Sequence, residues 1–171
     1  MKRNYDEPMF VDVVSCKNEC SDEQIESEIK EICFTQPFAV LATQGEGQPY
    51  TSLISFAASD DLKHLVFSTP TQTRKFNQLK NNRQVSILID NRSLQPESIN
   101  LIRGITITGR AKPLENREEV EPWSKVLLDK HSYLDRFVKA SSSSLILVQA
   151  VRYFYVRRFQ EVYQWIPTDH S

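Results

Sequence analysis

Phe38-Ala39-Val40-Leu41-Ala42-Thr43, then Gly45-Glu46-Gly47-Gln48-Pro49, then Tyr50 through Ala58, then Ser59-Asp60-Asp61-Leu62-Lys63, then His64 through Thr69 is the stretch that decides the fold. It reads as three apolar strands separated by two turn-forming segments. The connections at 44–49 and 59–63 are too short for the crossover a parallel pair requires, so both pairs are antiparallel. Working outward, Ser21-Asp22-Glu23-Gln24 has the form of a capping box, and Ile25, Ile29, Ile32 and Cys33 repeat at helical spacing up to the stop before Pro37. On the other side, Thr71 or Thr73 caps a short helix through Leu79 and Lys80. A fourth strand runs from Val85 to Asp90, with Val85, Ile87 and Ile89 on one face.

Ile105 to Lys112 alternates most cleanly, with Ile105, Ile107, Gly109 and Ala111 on one face. Residues 116–140 read as a helical arm anchored by Val120, Trp123, Leu127, Leu134 and Phe137, and Ser141 to Ser144 break it. Leu145 to Phe159 is a long last strand, followed by a tail over 160–171 that carries Trp165. The expected class is mainly β: six antiparallel strands with peripheral helices, closed into a small barrel that hides its edges.

The chain has 171 residues and weighs 19.8 kDa, which suits one domain, 1–171, with residues 1–20 as an N-terminal arm. Its net charge of -1 gives no general reason to bind nucleic acid. The only glycines are 45, 47, 104 and 109, so no G-x-G-x-x-G dinucleotide fingerprint can be written. Gly104 to Gly109 continues as Arg110-Ala111 inside a strand pattern, which excludes a phosphate loop. Met1 to Pro8 holds no apolar core of a signal peptide, and no apolar run reaches the ~18 residues of a membrane helix, so the expectation is a cytoplasmic protein with no membrane partner. Cys16, Cys20 and Cys33 read as free structural thiols, with no metal site.

Phe67-Ser68-Thr69-Pro70-Thr71-Gln72-Thr73-Arg74-Lys75-Phe76 carries the chemical signal. Arg74 and Lys75 fall in the first turn of the short helix, where the backbone field opposes cations by about 0.3–1 kcal/mol each. A bound phosphate reverses that argument, because backbone N–H groups, hydroxyls of Thr69, Thr71 and Thr73, an Arg fork and a Lys charge then converge on one anion. On spacing alone, a pair extended into solvent accounts for these residues equally well.

The order of Phe38 to Thr43, Gly47-Gln48-Pro49-Tyr50-Thr51-Ser52, Phe67-Ser68-Thr69, Thr73-Arg74-Lys75, and Asn82 ahead of Val85-Ser86-Ile87 resembles the pyridoxamine 5'-phosphate oxidase-related family of FMN-binding split β-barrels. The resemblance covers about residues 22–112. Lys130-His131-Ser132-Tyr133-Leu134 and Val151-Arg152-Tyr153-Phe154 are similar to one branch of it. It implies a homodimer with FMN at the subunit interfaces. It implies that Arg74 and Lys75 hold the phosphate, helped by Ser68, Thr69 and Thr73. The isoalloxazine ring is implied to lie along Thr51, Ser52, Leu53 and Ile54, largely on backbone groups. Trp165 has two roles open to it, covering a neighbour's flavin or anchoring the tail in an interface groove.

Two features depart from the vitamin oxidases of that family. Their basic, histidine-containing C-terminal substrate motif is missing, since His170 stands alone, and Gly104 falls near their flavin-contacting glutamine. Some relatives bind haem or a deazaflavin, and His131 and His170 are the candidate haem ligands here. The expectation is an FMN-dependent oxidoreductase acting on a small molecule, with NAD(P)H as candidate electron donor. The alternative is a non-catalytic dimeric flavin or haem carrier or sensor. No catalytic acid or base is singled out, because hydride chemistry belongs to the cofactor.

Overall fold

A computed structural model of the chain describes residues 21–94, 101–158 and 161–167. The N-terminal arm, with Cys16 and Cys20, and His170 lie outside the described residues. Helix α1 (Asp22–Thr35) starts on Ser21, whose Oγ accepts the Gln24 N–H at 3.3 Å. Strands β1 (Phe38–Gly45) and β2 (Gln48–Ala58) follow. Both central residues of their turn, Glu46 (φ 54) and Gly47 (φ 78), are left-handed, the twist that a two-residue hairpin requires. Then come β3 (His64–Pro70), α2 (Arg74–Asn81), β4 (Gln84–Asp90) and β5 (Gly104–Pro113). The chain closes with α3 (Arg117–Lys130), α4 (Asp135–Val138), β6 (Ser143–Arg157) and β7 (Glu161–Trp165).

The sheet order is β3-β2-β1-β4-β5-β6-β7, and β6 also pairs with β3. Six antiparallel strands therefore close into a barrel, as the sequence pattern implies. β7 is added outside the ring as a hairpin partner of β6. This short strand is a correction to the expected tail, and it begins just past Arg158, whose φ of 45° turns the chain back.

The alternation of each strand decides which side chains fill the barrel. Leu41, Ile54, Phe56, Phe67, Ile87, Ile107 and Tyr153 point inward and are buried in one cluster. Ile25, Ile29 and Ile32 of α1 join that cluster, as do Phe76 and Leu79 of α2. A second, smaller cluster lies outside the barrel, where Leu127, Val120 and Trp123 of α3 cover Ala57, Val66 and Leu147. Among the described residues no helix is long and apolar enough to cross a membrane.

The helical arm is not continuous. It breaks at His131 (φ -132°, ψ 64°), which is buried rather than at the surface. Its Nε2 lies 2.9 Å from the Phe56 carbonyl, so that nitrogen must donate. Nδ1 is then the acceptor for the Tyr133 hydroxyl at 3.1 Å. Lys130 beside it donates to the Cys33 carbonyl at 2.8 Å and lies 4.0 Å over the Phe56 ring. The two residues tie α3 to the barrel and to α1.

Two predictions follow from this packing. At Gly109, beside the β5–β6 register shift, a Cβ would fall 2.6 Å from the Gln149 carbonyl oxygen. Gly109→Ala therefore lowers unfolding free energy by about 1–3 kcal/mol, measured by urea denaturation; an unchanged midpoint refutes the close approach. The second concerns His131, whose pKa is held below its ordinary 6.5 by burial, with the Lys130 charge acting the same way and the Phe56 bond opposing. A base with a depressed folded-state pKa loses stability as pH falls below its unfolded value. Stability should drop between pH 7 and 5, and His131→Gln should flatten that slope, leaving the part due to His64, which burial also depresses. Lys130, lowered by burial to about 8, acts in a separate alkaline window.

Candidate functional site

β2 pairs with β1 along Gln48 to Ser55, but with β3 only at Phe56, Ala57 and Ala58. Ahead of Phe56 the two strands part. Alternate backbone N–H and C=O groups of β2 between Tyr50 and Ser55 therefore face an open edge. Across that gap β3 continues to Ser68 and Thr69, pairs there with Leu145 and Ser144 of β6, and leads into α2.

The local turn that starts α2 is held by its own hydroxyls. Thr73 is the N-cap: its Oγ1 accepts the Phe76 N–H at 3.4 Å and donates to the Pro70 carbonyl at 2.9 Å. The buried Thr69 hydroxyl, 3.2 Å from Thr73 Oγ1, is then the donor of that pair. Ser68 Oγ leans on the Ser144 carbonyl at 3.5 Å, and the Thr71 N–H donates to the Ser142 carbonyl at 2.8 Å. Ser68, Thr69 and Thr73 do sit at the corner expected from the sequence. Their hydroxyl protons, however, are directed at protein acceptors, so they shape the cradle rather than fill it.

What remains for an anion is backbone and cations. The N–H groups of Arg74 and Lys75 have no acceptor among the described residues. Neither side chain has a carboxylate partner there. By contrast, Arg103 forks onto Glu31 at 2.8 and 2.9 Å, and Arg157 binds Glu28 and Glu161 at 2.9 and 2.8 Å. Arg103 is thus a tie between α1 and β5. Arg74 instead lies 5.1 Å over the ring of Tyr50, which brings the start of α2 against the open part of β2. Burial draws the Lys75 pKa below its ordinary 10.5.

On β2 itself, Thr51 and Leu53 face outward and are exposed, Leu53 to 66%. Ser52 and Ile54 face the interior. Ile54 is buried, which leaves only its backbone for a ligand. Ser52 Oγ is shielded from solvent and lacks a hydrogen-bond partner. Leu53, Val40 of β1 and Leu88 of β4 line up across three strands, and Phe38 is also exposed on this outer face.

Trp165 is not brought to this corner. It is 7% exposed and packs edge-on against Tyr153 at 5.3 Å within its own core. On β6, Tyr153 stands nine positions from Ser144, the partner of Thr69, or roughly 30 Å along a strand. Within its own chain the Trp165 ring packs as an anchor of the tail. His131 has both ring nitrogens engaged, so it is not a free axial ligand. No cluster of metal-binding side chains occurs among the described residues. Sequence reasoning missed Tyr50 as the aromatic partner of Arg74. It also missed Gln78, whose Oε1 accepts from the Thr43 hydroxyl at 2.6 Å.

A closed six-stranded antiparallel barrel with a partly unzipped strand pair beside a cationic helix start is the class that this geometry defines. The family described as pyridoxamine 5'-phosphate oxidase matches over residues 25–163, and the chain belongs to that family. No curated protein sequence matches it. Among solved structures, a heme binding protein from Mycobacterium smegmatis is 18% identical, with a TM-score of 0.74 over 88% of this chain and 60% of that one. A protein related to general stress protein 26, of the pyridoxinephosphate oxidase family, from Clostridium acetobutylicum is 19% identical, with a TM-score of 0.66 over 86% and 96%. A FAD-binding protein from Mesorhizobium loti is 18% identical, with a TM-score of 0.60 over 75% and 91%. At these identities the likeness is one of fold.

Proposed function

We propose that the chain binds FMN as a homodimer and serves as an oxidoreductase acting on a small molecule. The observation that carries this reading is the pair Arg74 and Lys75, without carboxylate partners among the described residues, in the first turn of α2, with Arg74 lying over Tyr50 at the open edge of β2. The donor set fits a flavin mononucleotide. Two cations and two free N–H groups suit a phosphate dianion. Unpaired backbone groups along Thr51 to Ile54 suit the polar edge of the ring. The fold likeness to a FAD-binding protein supports a flavin, and the engaged nitrogens of His131 argue against haem at that residue.

Bound flavin supplies hydride acceptance and donation, with NAD(P)H as the proposed donor. The chain's own residues hold and orient it. Arg74 and Lys75 fix the phosphate, and the edge of β2 aligns the ring. The apolar strip of Leu53, Val40 and Leu88 is the proposed surface for the second copy, which would exclude water from the other ring face.

Arg74→Ala combined with Lys75→Ala should raise the FMN dissociation constant by at least about 100-fold, since each charged hydrogen-bonding group contributes roughly 1.5–3 kcal/mol. The variant should keep its melting temperature, because the empty helix start is relieved of two opposing charges. Flavin fluorescence quenching measures the first and a thermal scan the second; undiminished affinity sinks the assignment. Loaded protein whose visible spectrum bleaches with NADH or NADPH supports turnover, and one that neither reduces supports a carrier.

The pH dependence has a definite sign. Affinity should rise through pH ~6 as the phosphate takes its second charge. It should fall again on the alkaline side as Lys75 loses its proton, starting below the ordinary 10.5 because burial already lowers that pKa. Lys75→Arg should remove the alkaline fall, since guanidinium stays charged. An alkaline limb that survives in Lys75→Arg assigns it elsewhere.

A further inference from the structure

An arginine can be held in place by a carboxylate or by an aromatic ring, and this chain uses both. Arg103 is held by a carboxylate: its two terminal nitrogens donate to Glu31 at 2.8 and 2.9 Å. That arrangement spends donors and cancels charge, so little of either is left for an anion. Arg74 is held by a ring. Its Cζ lies 5.1 Å from the ring centroid of Tyr50, and it has no carboxylate partner among the described residues. A ring attracts the charge through its quadrupole and takes up none of the five N–H donors as an oxygen acceptor would. Arg157 shows that the two kinds of contact coexist: it lies 5.0 Å over Tyr163 while its Nε and Nη1 donate to Glu161 and Glu28.

Tyr50 is itself fixed. It is half-buried and stands in register with Thr43 of β1. The buried Thr43 hydroxyl lies 3.4 Å from the Tyr50 carbonyl oxygen and donates to Gln78 Oε1 at 2.6 Å. Gln78 stands four positions beyond Arg74, on the same side of α2. One residue of β1 therefore ties together the strand that carries the ring and the helix that carries the cation. The Tyr50 hydroxyl makes no hydrogen bond among the described residues, so the ring is what Arg74 gains from it.

We infer that Tyr50 is a positioning residue for the anion site: its ring holds Arg74 at the open edge of β2 and leaves the guanidinium's donors to a phosphate. An exposed arginine loses much rotamer freedom when it binds a ligand, and the ring takes part of that loss beforehand. The inference rests on the flavin reading, because the phosphate it names is that of FMN. It adds a consequence of its own. Tyr50 acts through Arg74 on the phosphate alone, so it sets the preference for FMN over riboflavin.

FMN and riboflavin are titrated by flavin fluorescence quenching into the full chain, into Tyr50→Leu and Tyr50→Phe, and into the same three in an Arg74→Ala background. Wild type should bind FMN more tightly than riboflavin. Tyr50→Leu should cut that ratio about two- to fivefold, the range of an exposed cation–π contact, with riboflavin affinity unchanged. Tyr50→Phe keeps a ring and should keep the ratio. With Arg74 already alanine, Tyr50→Leu should change nothing further. Tyr50→Ile, a strand former, carries the same test if a thermal scan shows Tyr50→Leu to be unfolded. Equal losses for both flavins, a loss that persists without Arg74, or Tyr50→Phe behaving as Tyr50→Leu overturns the inference and leaves the phosphate corner standing. So does a ratio that rises, which would mean that the ring draws Arg74 away from the phosphate. A wild-type ratio of one, or a ratio indifferent to Arg74→Ala, overturns the phosphate assignment and the role of Tyr50 with it.

Discussion

β2 is eleven residues long, yet β3 pairs with only its last three. That shortfall governs the rest of the molecule. A barrel removes sheet edges by closing, because an unpaired row of N–H and C=O groups invites other chains. Here closure is completed at Phe56 to Ala58 and abandoned before them. The ring stays shut because β3 shifts its pairing to β6, along seven residues from His64 to Pro70. The edge left behind is not a random defect, since it opens directly opposite the start of α2, and Arg74 reaches back over Tyr50 to span the gap.

The start of α2 is electrostatically unlike the other long helices. α1 opens with Asp22 and Glu23, and α3 with Glu118 and Glu119, each in line with the helix field. α2 has no acid in its first turn and begins on two cations. Arg103 and Arg157, by comparison, are neutralised by Glu31 and Glu28. The chain therefore has the means to pair its cations and does not use them at this corner. Thr69 and Thr73 spend their hydroxyls fixing the turn, so the cations and free N–H groups are held in place before any anion arrives. Such preorganisation lowers the ordering cost of binding.

Much of the barrel was legible because strand burial has a period of two. Ile105, Ile107, Gly109 and Ala111 all face the core as their alternation implies, and Ser21 and Thr73 cap the helices they precede. The location of Arg74 and Lys75 was readable for the same reason: a cap fixes where the first turn lies. What escaped depends on distance along the chain or on one unusual dihedral. β7 is five residues long and packs only because Tyr153 and Tyr155 wait on β6. His131 leaves the helix to reach the Phe56 carbonyl, 75 positions away. Thr43 and Gln78 meet across 35 residues. The hydroxyls of Thr69 and Thr73 were assigned to a ligand because composition reveals donors but not the carbonyl, here that of Pro70, that already claims one.

The interior of the barrel cannot be the binding site. Leu41, Phe56, Phe67, Ile87, Ile107 and Tyr153 fill it, and α1 and α2 contribute Ile29, Ile32, Phe76 and Leu79 to the same cluster. A six-stranded ring has no room beyond its own side chains. Any ligand must therefore sit outside, where a single chain covers only one side of a flat ring. On that outer surface the open edge of β2 borders the exposed Leu53 and Leu88, with the half-buried Val40 between them. A second copy laid on this strip would bury it and close over the ring at once. The proposed dimer and the proposed cofactor site thus answer one requirement, since a hydride-transfer centre needs water kept out and this fold cannot do that from within.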